Sequence, residues 1–311
     1  MIQSFFHKLL LRRHFWRYAT FGEVAELYAS RMLRMAALYM AGAFMAIYLF
    51  QIGYSIAQIA LFWAGFYLFK VVAALPSAAV VGKIGPKHAI MVSNLLYIPA
   101  MIGFVLLPEF GPWMLLPVLV LEGLSAGMYS IAYTIDFSKV KSMEHAGKEI
   151  AYMNMIEKLT VAISPVIGGA LAFFFGPQVV IALAAVLFAL AAVPLFKTGE
   201  PVKTGEKLQF KGFPWRLLTR HWLAQISVGF DVFASGTVWT LFVAVFIIGI
   251  ATDNQVYAVM GLLLSVVFIA ALFASYVYGK IIDRRQGKQL MRLASIANFA
   301  THLVRPFIAA Q

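Results

Sequence analysis

The chain contains no cysteine and few charged residues for its length. Without cysteine it can form neither a disulfide nor a thiolate-ligated metal site. Only 12% of its 311 residues are Asp, Glu, Lys or Arg, whereas 62% are hydrophobic. A soluble domain of this size could not bury so much apolar surface, and the mean hydropathy of +0.85 is typical of a membrane protein. The composition therefore predicts a chain that crosses a bilayer several times.

The motifs of enzymes and nucleotide-driven pumps are also missing from the sequence. Its six histidines are scattered without metal-ligand spacing, and no GxxxxGK[ST] phosphate loop occurs. We therefore expect no enzymatic activity, no metal site, no cofactor and no ATP-driven transport. The net charge of +12 could favour nucleic acid, but the cations lie in short segments between apolar blocks. We expect no nucleic-acid partner.

The basic residues are confined to alternate gaps between the apolar blocks. All but three of the 25 Lys and Arg residues lie in residues 1–34, 82–88, 136–148, 197–221 and 280–292. The intervening gaps hold none of them; these are residues 51–54, 108–112, 175–178 and 251–255. Basic loops stay on the cytoplasmic side of a bilayer. The pattern thus predicts an integral protein of the plasma (inner) membrane with a cytoplasmic N-terminus.

Nine apolar segments approach the roughly 20 residues that a helix needs to cross the hydrocarbon core. They lie at about residues 31–51, 56–81, 89–107, 113–135, 149–174, 177–196, 222–250, 256–279 and 290–309. A capping box of Thr20 and Glu23 predicts that the first helix begins before its apolar part. Residues 3–18 fit either a short helix on the inner leaflet or a basic tail that only sets orientation.

The chain is predicted to have four parts, one of which is the longest polar stretch between spans. These are a basic N-terminal segment (1–30), a six-helix bundle (31–196), a cytoplasmic central loop (197–221) and three further helices (222–311). A Gly-Lys-Ile triplet at residues 82–84 recurs at residues 279–281, at the same point of each half. The two halves are therefore predicted to be parallel repeats.

In these features the chain resembles the major facilitator superfamily of secondary transporters. Residues 279–288 (GKIIDRRQGK) are similar to that family's G-x-L-A-D-R-x-G-R-R loop, with one extra residue, and residues 82–87 form a degenerate copy without the acid. The resemblance implies a gating loop made of Gly82, Lys83, Gly279, Asp283, Arg284, Arg285 and Gly287. Ser164 to Gly169 are similar to the antiporter element G-P-x-x-G-G, which implies a kink in the fifth helix at Pro165, Gly168 and Gly169.

The fold class implied by the resemblance is an all-α polytopic membrane protein. It comprises a six-helix N-terminal bundle like that of the superfamily and a partial, three-helix C-terminal bundle. The family has twelve helices, so we expect the chain to be truncated after the ninth.

Five ionisable residues lie inside the predicted spans, where a charge at the bilayer centre costs about 3 kcal/mol. They are Lys70, Glu122, Asp231, Glu157 and Lys158. One interpretation is a polar cavity for substrate or protons at the midplane. The other is structural, with Lys70 and Glu122 as an ion pair, and Glu157 and Lys158 reaching the inner interface.

The sequence therefore favours alternating-access transport of a small solute, by symport or by antiport (efflux). The expected partners are a small-molecule substrate, the lipid bilayer and, as coupling ion, protons or Na+. The alternative is a polytopic scaffold or sensor that uses the same helices only for packing.

The predicted topology can be tested in this cysteine-free chain. A cysteine replacing Lys203 is expected to resist an impermeant thiol reagent added to intact cells, because the central loop is basic and cytoplasmic. A cysteine replacing Asp253 is expected to react. Labelling at position 203 from outside would contradict the assignment.

Overall fold

The computed structural model describes residues 23–140, 146–200, 202, 204–208, 215–249, 253–283 and 287–308. These residues form helices and connecting turns without a β-strand. In chain order the helices are α1 (Glu23–Gln51), α2 (Ile56–Ile84), α3 (Pro86–Phe110), α4 (Leu115–Val140), α5 (Ala146–Phe175), α6 (Pro177–Ala192), α7 (215–248), α8 (Gln255–Asp283) and α9 (Gly287–Ile308). Thr20, Arg284 and Arg285 lie outside the described residues.

Eight of the described helices, α1 to α8, are long and apolar enough to cross a membrane. The predicted all-α polytopic fold is confirmed, and α1 is already helical at Glu23, eight residues before the predicted apolar span. The predicted ninth span corresponds to α9, but α9 is not among the eight candidates. Its mean hydropathy is lowered by polar residues along its length, namely Lys288, Arg292, Asn298, His302 and Arg305.

Several helix ends follow from local sequence. Ser55 and Gln58 form a capping box at the start of α2, where each side chain bonds the other's backbone N–H. Three Gly-Pro pairs, at residues 85–86, 111–112 and 176–177, each end one helix and start the next. The glycine takes a positive φ that would strain other residues, and the proline occupies the first helical position, where no N–H partner is needed. These junctions allow very short connections.

Packing joins the helices in a continuous series. Within the first six helices, α3 packs between α4 and α6, α2 packs along α4, and α1 packs against α5 and α6. A large apolar core lies between them, with Met45, Phe104 and Phe188 fully buried. The most extensive contact between any two helices is that between α5 and α8. Helix α5 therefore connects the six-helix bundle to the later helices.

The outer surface of the bundle is apolar. On α2, five aliphatic residues that are 60–74% exposed lie on one face: Leu61, Leu68, Val71, Val72 and Leu75. A soluble protein rarely shows a patch of this kind, whereas lipid tails accommodate it.

Small residues let the backbone of α5 touch its neighbours. A Cβ atom on Gly168 would overlap the carbonyl oxygen of Met40 in α1. One on Gly169 would overlap that of Tyr257 in α8, and one on Gly261 of α8 would lie 2.5 Å from the carbonyl oxygen of Pro165. Close backbone approach at small residues is the usual way in which membrane helices pack. The Pro165, Gly168 and Gly169 element thus forms a seam between α1, α5 and α8.

This seam predicts that Gly169→Ala destabilises the protein. The added methyl group has no space, and overpacking of this kind costs about 1–3 kcal/mol. Gly229→Ala is the matched control, because a Cβ there meets nothing within 4 Å and alanine favours a helix by about 1 kcal/mol. Thermal unfolding in detergent should show a lower midpoint for Gly169→Ala alone. Equal midpoints for the two variants would show that the seam is not close-packed.

Candidate functional site

A cavity of about 250 Å³ lies between α1, α5 and α8. Its lining combines charged, polar and apolar side chains: Tyr39, Asn154, Glu157, Lys158, Val161, Phe268 and Ala271. Two of the five predicted site residues, Glu157 and Lys158, therefore share one cavity, where they are next to each other on α5.

The carboxylate of Glu157 is held by Arg31 of α1. The Nε and Nη2 atoms of Arg31 both lie 2.7 Å from Oε2 of Glu157. The guanidinium also lies over the ring of Tyr133, with 4.2 Å from Cζ to the ring centroid. Two charge-assisted contacts to one oxygen leave Oε1 of Glu157 as the freer acceptor.

The other wall of the cavity is formed with α8. The Nζ atom of Lys158 donates a hydrogen bond of 2.9 Å to Oγ of Ser275. The ring of Tyr39 meets that of Phe268 edge to face, at 5.4 Å between centroids and 88° between planes. The cavity thus offers an acceptor, a cationic donor and two aromatic rings, and its walls come from helices on both sides of the α5–α8 seam.

A buried arginine that was not predicted as a site residue lies in the core, three residues after Arg31 on α1. Arg34 is 2% exposed, and its Nη1 and Nη2 atoms donate to Oδ1 of Asn94 (2.6 Å) and Oγ of Ser125 (3.3 Å). Its guanidinium lies 3.9 Å from the ring centroid of Tyr129. The charge pattern placed Arg34 in a basic gap and the capping box predicted a helix running through it, but neither predicted its buried polar partners.

Glu122 is linked to Arg34 through an aromatic side chain. The hydroxyl of Tyr97 donates a 2.7 Å hydrogen bond to Oε1 of Glu122, and the Tyr97 ring lies 5.1 Å from Cζ of Arg34. Glu122 is 5% exposed, and its Oε2 has no partner within the described part of the chain. A small void beside Glu122 is also lined by Trp63. The Nε1 atom of Trp63 likewise has no partner among the described residues. A water molecule would satisfy both atoms, because it can accept from the indole N–H and donate to the carboxylate oxygen.

The structure does not bring Lys70 and Glu122 together as an ion pair. Lys70 is half-buried on α2, where its backbone passes Gly127 of α4, and within the described residues neither a hydrogen bond nor an ion pair joins it to Glu122. Glu122 instead faces Tyr97. Asp231 lies on α7 and bonds residues of α9, so it is separate from the cavity.

A second buried charge cluster lies at the end of the bundle where α1 begins, which we call the basic end. Lys87 of α3 is 2% exposed, and its Nζ lies 2.8 Å from Oε2 of Glu26, which is 4% exposed. The same Nζ bonds the carbonyl oxygen of Thr198 at 2.9 Å and the Thr198 hydroxyl. Asp136 of α4 is also buried there. The cluster joins α1 and α3 to the segment that follows α6.

Part of the predicted gating loop contacts this segment. The N–H of Glu206 donates to the carbonyl oxygen of Gly82 at 2.9 Å, and that of Gly205 to Lys83 at 3.4 Å. A Cβ on Gly82 would lie 2.6 Å from the carbonyl oxygen of Glu206, so a larger residue would displace the backbone at that position. Gly279 and Asp283 lie in the last turns of α8, and Gly287 begins α9. The gating role of the loop stays a prediction.

The sequence matches the family model of the Major Facilitator Superfamily over residues 27–311. The chain therefore belongs to this superfamily, as the resemblance implied, and is an integral membrane protein. A comparison with curated proteins gives no match.

Solved structures show the same fold. One is a POT family transporter in complex with 5-aminolevulinic acid, with 16% identity, a TM-score of 0.51 and coverage of 71% of this chain. Another is a peptide transporter POT in complex with sulfate, with 15% identity, a TM-score of 0.50 and coverage of 73%. The match covers half of each of those proteins.

The basic-end cluster predicts a strong effect of Lys87→Met. The variant leaves the buried Glu26 carboxylate without its cation, a loss of about 3–5 kcal/mol. The double variant Lys87→Met, Glu26→Leu is expected to recover most of the stability, because no charge is then stranded. His88→Ala serves as control; its contact with Glu200 is exposed at the histidine and worth about 0–1 kcal/mol. If His88→Ala lowers the thermal unfolding midpoint as much as Lys87→Met does, this assignment is contradicted.

Proposed function

We propose that this chain carries out transport of a small solute by alternating access, as a transporter rather than an enzyme. The basic end faces the cytoplasm, in agreement with the positive-inside pattern. The coupling ion is H+ or Na+, in symport or antiport. The single observation that supports the proposal best is the position of the polar cavity, whose walls come from α1 and α5 on one side and α8 on the other.

Alternating access requires that a binding site lie between two units that move relative to each other. The first unit is the six-helix bundle (31–196), which is tied together by the buried Arg34 contacts and the Lys87 cluster. The second unit (222–311) contains α8. Rotation of α8 about the smooth, glycine-lined seam would widen the cavity at one end and narrow it at the other.

The lining defines the kind of solute that fits. Glu157 can accept a hydrogen bond or pair with a cationic group, Lys158 can bind an anionic or carbonyl oxygen, and the rings of Tyr39 and Phe268 can cover an apolar part. A scaffold or sensor would obtain no packing advantage from charged groups beside a void. We therefore infer a small polar solute that also has an apolar portion.

The proposal predicts that Glu157→Gln and Lys158→Gln each reduce transport at least tenfold. Both changes keep a side chain of similar size, and the amide oxygen that replaces the Glu157 carboxylate can still accept a bond from Arg31, so folding is expected to persist. The measurement is uptake of a panel of solutes into proteoliposomes with and without ion gradients. Glu109→Gln, an exposed carboxylate at the other end of the bundle, is the control.

Two results would contradict the proposal. One is the absence of uptake for every solute class by folded wild-type protein. The other is unchanged uptake in both cavity variants, which would place the solute pathway elsewhere.

A further inference from the structure

A polar cluster joins α7 to α9 away from the cavity. The Oδ1 atom of Asp231 is 2.9 Å from Nε2 of His302, 3.3 Å from Nδ2 of Asn298 and 3.2 Å from Oγ of Ser235. Arg305 completes the cluster: its Nη1 lies 2.8 Å from Oγ of Ser235 and 3.3 Å from Nδ1 of His302. The three α9 residues lie on one helical face because they are four and three residues apart.

This geometry fixes the protonation of His302. An arginine nitrogen can only donate, so the Nδ1 atom that faces Arg305 must be the acceptor. The proton of the neutral imidazole is then on Nε2, where it is donated to Asp231. In its neutral form, His302 thus donates to a carboxylate through Nε2 and accepts from a guanidinium through Nδ1.

A second proton on His302 would change one side of the cluster and leave the other intact. Nδ1–H could no longer accept from Arg305, and an imidazolium would then lie about 3.3 Å from a guanidinium of the same charge. The Nε2–H contact to Asp231 would become an ion pair and would hold the ring in place. The group that moves is thus Arg305, whose Cζ lies 4.9 Å from the ring centroid of Trp239.

The other elements packed against this cluster contribute few competing charges. Helix α8 has no Asp, Glu, Lys, Arg or His before Lys280, and Lys280 lies near the start of α9, roughly 22 Å of helical rise from His302. Helix α2 meets α7 through Tyr67 and Phe233, at 6.2 Å between ring centroids, and Lys70 follows one turn after Tyr67. Asp231 and Arg305 are the charged side chains within hydrogen-bonding distance of His302 among the described residues.

We propose that His302, supported by Asp231, is a proton-binding site, and that its protonation displaces Arg305 from Trp239 and loosens α9 from α7. Histidine is the side chain whose ordinary titration falls near physiological pH. If the chain is a transporter as proposed above, this site binds the coupling proton. The coupling role therefore rests on the proposed function. The π-helical turn at Ala234–Val238, next to Asp231, gives α7 an irregular segment that can adjust to the change.

The experiment is a pH titration of Trp239 fluorescence in nanodiscs containing the full chain, without substrate. The signal of Trp239 is obtained by subtracting the emission of the Trp239→Phe variant. A pH-dependent transition in this signal is expected, because Arg305 leaves the indole when His302 binds a proton. The transition is expected to be lost in His302→Gln and retained in the control Ser295→Ala, whose hydroxyl donates to the carbonyl oxygen of Met291 in its own helix.

Retention of the transition in His302→Gln would overturn the proposal. If His302→Gln fails to fold, the proposal can still be tested by magnetic resonance, which measures the tautomer of His302 in the unmodified chain. His302-Leu303 is the only His-Leu pair in the sequence, so labelling of that pair isolates the His302 resonances. A neutral ring protonated on Nδ1 at high pH would contradict the assignment.

Coupling is tested separately from the site. Uptake by His302→Gln should lose its dependence on a pH gradient, whereas uptake by Ser295→Ala should keep it. A wild-type fluorescence transition without any uptake would refute the transport function but leave the proton site standing. Gradient-driven uptake in His302→Gln equal to that of wild type would refute the coupling role.

Discussion

The close approach of the α5 backbone to α1 and α8 is the constraint on which the rest of the structure depends. Gly168 and Gly169 allow contact with the carbonyl oxygens of Met40 and Tyr257, and Gly261 allows the reciprocal contact from α8. In lipid, where apolar surface gives no drive for helices to associate, such close packing supplies the attraction. The same three helices line the cavity, because Glu157 and Lys158 lie on α5 two to three turns before the seam.

Two buried cationic clusters make the six-helix part a stable frame for that seam. Arg34 bonds side chains of α3 and α4 in the interior, and Lys87 ties α1 and α3 to Thr198 at the basic end. Each cation has several hydrogen-bond partners, which is the condition for keeping a charge in a low-dielectric interior. The second unit has no comparable frame among the described residues; its α7 and α9 meet through half-exposed polar groups, Asp231 and His302.

Sequence periodicity and charge alternation predicted the polytopic helical class and eight of the spans, because these depend on local hydropathy. The kink at Pro165, Gly168 and Gly169 was implied by the family resemblance and stays a prediction. Partners across helices were not predictable in the same way. Lys70 and Glu122 have similar depth, but rotation about each helix axis places Glu122 against Tyr97. The buried position of Arg34 was not predicted, because its partners Asn94 and Ser125 are uncharged and distant in sequence. The sequence also predicted α9 as an apolar span and did not predict that its polar residues lie on one face.

The central claim is that the space between α1, α5 and α8 is a water-accessible solute cavity. The most direct measurement is the rate at which a small hydrophilic methanethiosulfonate modifies a cysteine replacing Ala271, which lines the cavity, in this otherwise cysteine-free chain. A cysteine replacing Leu61, 74% exposed on the apolar outer face, is the comparison. The account predicts modification at position 271 at least tenfold faster than at position 61, and slower when a transported solute is present. Equal rates at the two positions would contradict it.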